Sequence, residues 1–150
     1  MTPFAYAGVL TGLTAVGVYV WRSRREEHAR RGHGIAEQLL PEISALVSSS
    51  DPNGRTNGEP VASAAYEACR DAVDRELDAE PRYAVETFYR SVASYRQARE
   101  QMQESFTEAP DDEAPSLGDR IRAKDQRDRL LKNVYDSGAF AIEKLEQLLR

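Results

Sequence analysis

Residues 4–25 read FAYAGVLTGLTAVGVYVWRSRR. Phe4 to Trp21 carries no charge, and Arg22, Arg24 and Arg25 follow at once. As a helix rising about 1.5 Å per residue, such a run spans roughly 27 Å, close to a hydrocarbon core of about 30 Å. Its threonines can bond back to their own helix carbonyls, so no polar group need be left bare in lipid. Phe4 and Tyr6 fall near one end and Tyr19 and Trp21 near the other, the levels at which amphipathic rings meet headgroups. A cleaved signal peptide would carry its positive charge before the apolar region, and here the arginines come after it. A core helix would show a polar face, and this run has none. The stretch therefore predicts a single transmembrane helix over 4–21.

The flanks predict its direction. Arg22, Arg24, Arg25, Arg30 and Arg31 crowd one side, whereas Met-Thr-Pro is all that precedes the run. Because Lys and Arg stay cytoplasmic, residues 1–3 are expected outside, 22–34 as a basic juxtamembrane segment, and 35–150 as a cytoplasmic helical domain. The expected location is the cell membrane. The collar is also suited to the anionic headgroups of the bilayer. Gly8 and Gly12 form a GxxxG pair that would let two membrane helices approach closely.

Charge divides unevenly. The chain carries a net −5, yet residues 1–31 hold five Arg against Glu26 and Glu27. The remainder is therefore strongly acidic, which argues against nucleic acid as the main partner. Lys124, Lys132 and Lys144 are the only lysines. An acid excess with so little lysine is compatible with a halophilic source or a GC-rich genome.

Past the collar, helical spacing recurs. Ile35, Leu39, Ile43, Leu46 and Val47 share one face, with Gly32 and Gly34 expected to weaken the helix before it. Pro41 is expected to kink or break it at Leu40. Ser48 to Pro60 (SSSDPNGRTNGEP) reads as a loop. Val61 to Leu77 reads as a helix with Ala65, Cys69, Val73 and Leu77 inward, and Asp78 to Pro81 as a break with Asp78 as a cap.

The third helix, 81–106, is the best patterned. Val85, Phe88, Val92, Tyr95, Arg99, Met102 and Phe106 alternate by three and four, a coiled-coil-type seam interrupted by one charge. This seam is the expected surface for a protein partner or for self-association. TEAPDDEAP, 107–115, reads as a second loop. Ser116-Leu117-Gly118-Asp119 resembles a capping box opening the last helix, 117–149. Leu117, Ile121, Leu131, Tyr135, Ile142, Leu145 and Leu149 are expected on its buried side, Arg122 to Arg129 exposed or crossing a loop, and Gly138 as a place for a bend or a close contact. No strand-like alternation occurs beyond the apolar run. The fold expected is all-α: an N-terminal transmembrane helix followed by a small antiparallel helical bundle.

Catalytic equipment is not evident. His28 and His33 stand five apart, which puts their rings on different helix faces, and HExxH is absent. Solvated juxtamembrane histidines are expected. Glu-x-x-His of di-iron bundles is also absent. Glu26-Glu27 lie among arginines and Asp111-Asp112 in a proline-bearing loop, neither a sheltered acid–base site. There is no Walker loop, GxGxxG or GxSxG. Cys69 stands alone, so no disulfide or thiolate cluster forms within the chain, and a buried structural thiol is expected. Tyr83, Tyr89, Arg90, Tyr95, Arg96 and Arg99 cluster on the third helix, where tyrosines covering core and arginines paired with acids are the expected roles.

No enzyme activity, cofactor, metal or small-molecule substrate is expected. The function expected is that of a membrane-tethered interaction or scaffolding protein. The second reading is a structural or accessory subunit of a membrane complex or virion membrane.

Overall fold

A computed structural model describes the backbone of residues 4–50, 64–107 and 116–150, and the side chains of 19–50, 64–104 and 116–150. Four helices account for these: α1 (Phe4–Ser49), α2 (Ala64–Glu76), α3 (Ala79–Thr107) and α4 (Leu117–Leu148). The all-α expectation holds. The two expected loops lie almost wholly outside the described residues.

α1 runs 46 residues without a break, about 69 Å at helical rise. This corrects the expected break at Leu40, because the chain stays helical through Pro41. Gly32 and Gly34 also lie within the helix. Pro41 is exposed and so is Glu37, whose carbonyl loses its partner, so the missing bond faces water rather than core. Gly32 is buried for a separate reason. A Cβ built there would lie 3.3 Å from the Glu76 carbonyl oxygen, so glycine lets α1 approach the end of α2.

Among the described residues no helix is long and apolar enough to cross a membrane. The side chains of 4–18, most of the expected span, lie outside those residues.

Named contacts set the helix directions. Arg31 meets Glu76 and Glu42 meets Ala65, so α1 and α2 run antiparallel. Lys144 meets Glu80, and Gly138 lies against Phe88, so α3 and α4 do likewise. α4 packs on both α3 and α1, and α1 packs on α2. α2 and α3 stand further apart and are bridged by the stacked rings of Tyr66 and Tyr89, 4.0 Å between centroids.

The core follows the heptad-like stripes. α1 contributes Ile35, Ala36, Leu39, Ile43 and Leu46, all buried, with Val47 partly so. Cys69 and Val73 of α2 and the following Leu77 come from the second segment. The largest wholly buried side chain is Phe88 of α3, flanked by Ala84, Val85, Val92 and Tyr95. Each buried Val, Leu, Ile or Phe among these contributes about 1.5–3 kcal/mol by leaving water.

On α4 the buried stripe is Val134, Gly138, Ala141 and Leu145, of which only Leu145 is among those expected. Leu117, Ile121 and Tyr135 are exposed, and Leu131, Ile142 and Leu149 are only partly covered. The reason is size. A Cβ on Gly138 would overlap the Val47 side chain and come within 2.9 Å of Phe88 Cε2, so only glycine admits this contact. The small inward residues carry no apolar bulk, so the bulkier outer face dominates the pattern.

α4 opens as its sequence suggests. Ser116 Oγ accepts from the Asp119 amide at 3.2 Å and donates to Asp119 Oδ2 at 2.6 Å. That contact holds the Asp119 carboxyl below its ordinary range. The helix continues unbroken through Arg122 to Arg129, all exposed but for Ala123, so this segment crosses no loop.

Candidate functional site

Three regions bear on function, and the first is the arginine collar on α1. Tyr19, Val20 and Trp21 are exposed, as are all five collar arginines. Arg25 places its guanidinium 5.4 Å from the Trp21 ring centroid, and Arg22 Nε reaches Glu26 Oε1 at 3.2 Å. Phe4, Tyr6, Gly8 and Gly12, expected within the span, belong to the stretch whose side chains lie outside the described residues.

One turn further on, the collar is bolted to the bundle. Arg31 binds Glu27 on its own helix and Glu76 at the end of α2, the latter at 3.1 Å. Glu27 is thereby held below its ordinary range, chiefly by its hydrogen bond to Arg31. His28 faces two carboxylates, with Nδ1 3.6 Å from Glu76 and Nε2 3.8 Å from Asp78. The expectation of simply solvated histidines misses this arrangement. Glu76 and Asp78 come from a separate helical segment, so no local spacing announces them.

The second region is the expected partner seam. Val85, Phe88, Val92 and Tyr95 are buried, and the elements covering them belong to this chain. This corrects the expectation of an open seam, because the spacing marks which residues share a face and not what covers it. Arg99 and Met102, further along, are only half-buried. There, among the described residues, α1 has ended and α3 and α4 continue beyond it.

The third region, between these two, is a polar network that sequence reading missed. Glu42 of α1 accepts at Oε2 from the Ala65 amide, 2.7 Å, and at Oε1 from the Tyr89 hydroxyl, 2.6 Å. One carboxylate therefore caps the start of α2 and fixes α3. Burial first, and the bond to Glu42 second, push the Tyr89 phenol well above its ordinary range. Burial and then Glu42 also raise the Cys69 thiol, which is free and buried as expected. A signal was present, since Glu42 is an acid beside the apolar stripe of Leu39, Ile43 and Leu46.

Tyr66 and Tyr89 form part of the wall of a cleft of roughly 670 Å³ between α2 and α3. Arg70, Arg90 and Arg96 line it beside Glu67, Asp74, Glu86 and Glu100, so cations and anions are nearly balanced. Mixed charge of this kind suits water and surface ion pairs more than a single charged ligand. Among the described residues no group of His, Cys, Asp and Glu has the arrangement to hold a metal ion.

No protein-family model, curated protein or solved structure matches the chain.

Proposed function

We propose that this protein is a membrane-tethered helical adaptor that holds a protein partner, or a second copy of itself, at the membrane surface. In this reading Phe4 to Trp21 crosses the bilayer once. The N-terminus faces out, and the arginine collar keeps the helical bundle in the cytoplasm, at the cell membrane. The role is non-catalytic and needs no cofactor.

The observation that carries it is the junction at Trp21. An uncharged run of eighteen residues passes into five clustered arginines without any interruption of α1. The same helix then supplies a core stripe of the bundle. A tether continuous with the core gives the bundle a fixed stance on the bilayer, where a flexible linker would leave it free to tumble. Confinement to a surface raises the effective concentration of a tethered binding module by about a hundredfold or more.

Deleting residues 1–21 tests this. The shortened chain is expected to remain helical and to melt cooperatively, but to stay in the supernatant when membranes are pelleted. Continued pelleting with washed membranes would contradict the tether, and loss of helix would contradict an independently folding bundle.

A second reading, an accessory subunit of a membrane complex or virion membrane, draws support from the exposed Leu117, Ile121 and Phe140. Crosslinking in native membranes separates the two. One stoichiometric partner favours the subunit, and several sub-stoichiometric partners favour the adaptor.

A further inference from the structure

Beyond Tyr95 on α3 and Leu131 on α4, the described residues of α1 no longer cover α4, and the chemistry of its inward stripe changes. The buried stripe of α4 steps by three and four through Val134, Gly138, Ala141 and Leu145. Carried back at the same spacing from Leu131, it meets Arg127, Lys124, Arg120 and Leu117. On α3 the stripe through Val92 and Tyr95 next meets Arg99 and Met102. Positions that are apolar inside the bundle are thus cationic in the projection, where Arg127 pairs with its neighbour Asp128 at 3.2 Å and stays about half exposed. Residues 119–132 hold six basic side chains against three acidic ones, in a chain that is acidic overall.

We infer that this row binds an acidic helix of a protein partner, which lies along the projecting α3–α4 pair and makes a local three-helix bundle. Three features favour that occupant. Successive cations sit about one helical turn apart, the pitch at which carboxylates recur on one face of a facing helix. Leu117 at the end of the row and Ile121 beside it, 75% and 53% exposed, offer an apolar foothold that a purely ionic ligand would leave wet. The segment is also polar around most of its circumference, a composition that leans on neighbours for its helical stability.

Nucleic acid fits less well, because a phosphate backbone offers nothing apolar to cover the exposed Leu117 and Ile121. A second copy in the same membrane would stand parallel and bring like rows together. The inference deepens the adaptor reading and rests on it for the partner's setting, but its chemistry is separable from the tether.

The test uses the full chain in non-ionic detergent and a labelled synthetic helix about three heptads long. The peptide carries Glu at three-four spacing with one terminal Leu. Its control is a scrambled peptide of the same composition. Fluorescence anisotropy is expected to show binding at least about tenfold tighter for the registered peptide, weakening with salt. The triple variant R120E/K124E/R127E should abolish that preference, and R120Q/K124Q/R127Q should reduce it, with helicity retained in both.

R22Q/R24Q/R25Q should leave it unchanged. Equal binding of both peptides, binding that survives the triple reversal, or tighter binding of duplex DNA or phosphatidylserine vesicles to the same row would overturn the proposal. The triple variants should still pellet with membranes. Loss of pelleting would count against the tether and not against the row.

Discussion

The Tyr89 hydroxyl donates to the Glu42 carboxylate at 2.6 Å, joining α3 to α1. The other oxygen of Glu42 caps the first turn of α2. Replacing Glu42 by Ala therefore removes a cap and leaves a largely buried phenol without its acceptor. The expected loss of folding stability is about 2–3 kcal/mol. Glu42→Gln keeps an acceptor oxygen and should lose less. Chemical unfolding of the detergent-solubilised chain, followed by circular dichroism, measures both. Equal and negligible losses would mean the network is incidental.

The same bond predicts a pH dependence. Tyr89 ionises above its ordinary range when folded, because burial and then Glu42 disfavour its phenolate. In the unfolded chain tyrosine ionises near pH ~10. Above roughly that pH the unfolded state sheds a proton that the folded state keeps, so stability falls as pH rises. Below it this group contributes its full stabilisation. Tyrosinate absorbance from Tyr89 should therefore appear together with loss of helix, and a smooth titration in the intact fold would contradict the assignment.

Two glycines should respond in opposite directions. Nothing lies within 4 Å of the place a methyl group on Gly34 would take, so Gly34→Ala should gain about 0.5–1 kcal/mol from helix propensity. Gly138 faces Val47 and Phe88 at contact, and Gly138→Ala should lose about 1–3 kcal/mol to overpacking despite the same propensity gain. Thermal melts of the two variants check the sign of each.

Phe88 tests whether the patterned face of α3 is core or interface. It is wholly buried among the chain's own residues. Phe88→Ala should cost about 3–5 kcal/mol of folding stability in the isolated protein. A folded, undiminished variant that had lost only partner binding would restore the interface reading.

Much of this was legible in the residues. The stripes of α1 and α3 and the inward face of α2 follow from apolar side chains at three-four spacing, and Ser116 and Asp119 announce the start of α4. The misreadings share a physical cause. Gly138 and Ala141 carry the α4 contact through absence of bulk, which periodicity of large apolar residues does not register.

Pro41 looks like a local breaker, yet its exposed placement lets α1 pass through it. The partners of Glu42 and His28 come from segments distant in sequence, so the pairs exist only in the fold. The cationic row of α4 was visible as a polar stretch, and its meaning depends on knowing that the stripe of Val134 and Leu145 leads into it.

Protease protection of a tag fused after Arg150, compared in intact and permeabilised cells, tests the tethered topology most directly. The tag should survive protease added to intact cells and be cleaved once the membrane is opened. Cleavage in intact cells would place the bundle on the other side and contradict the account.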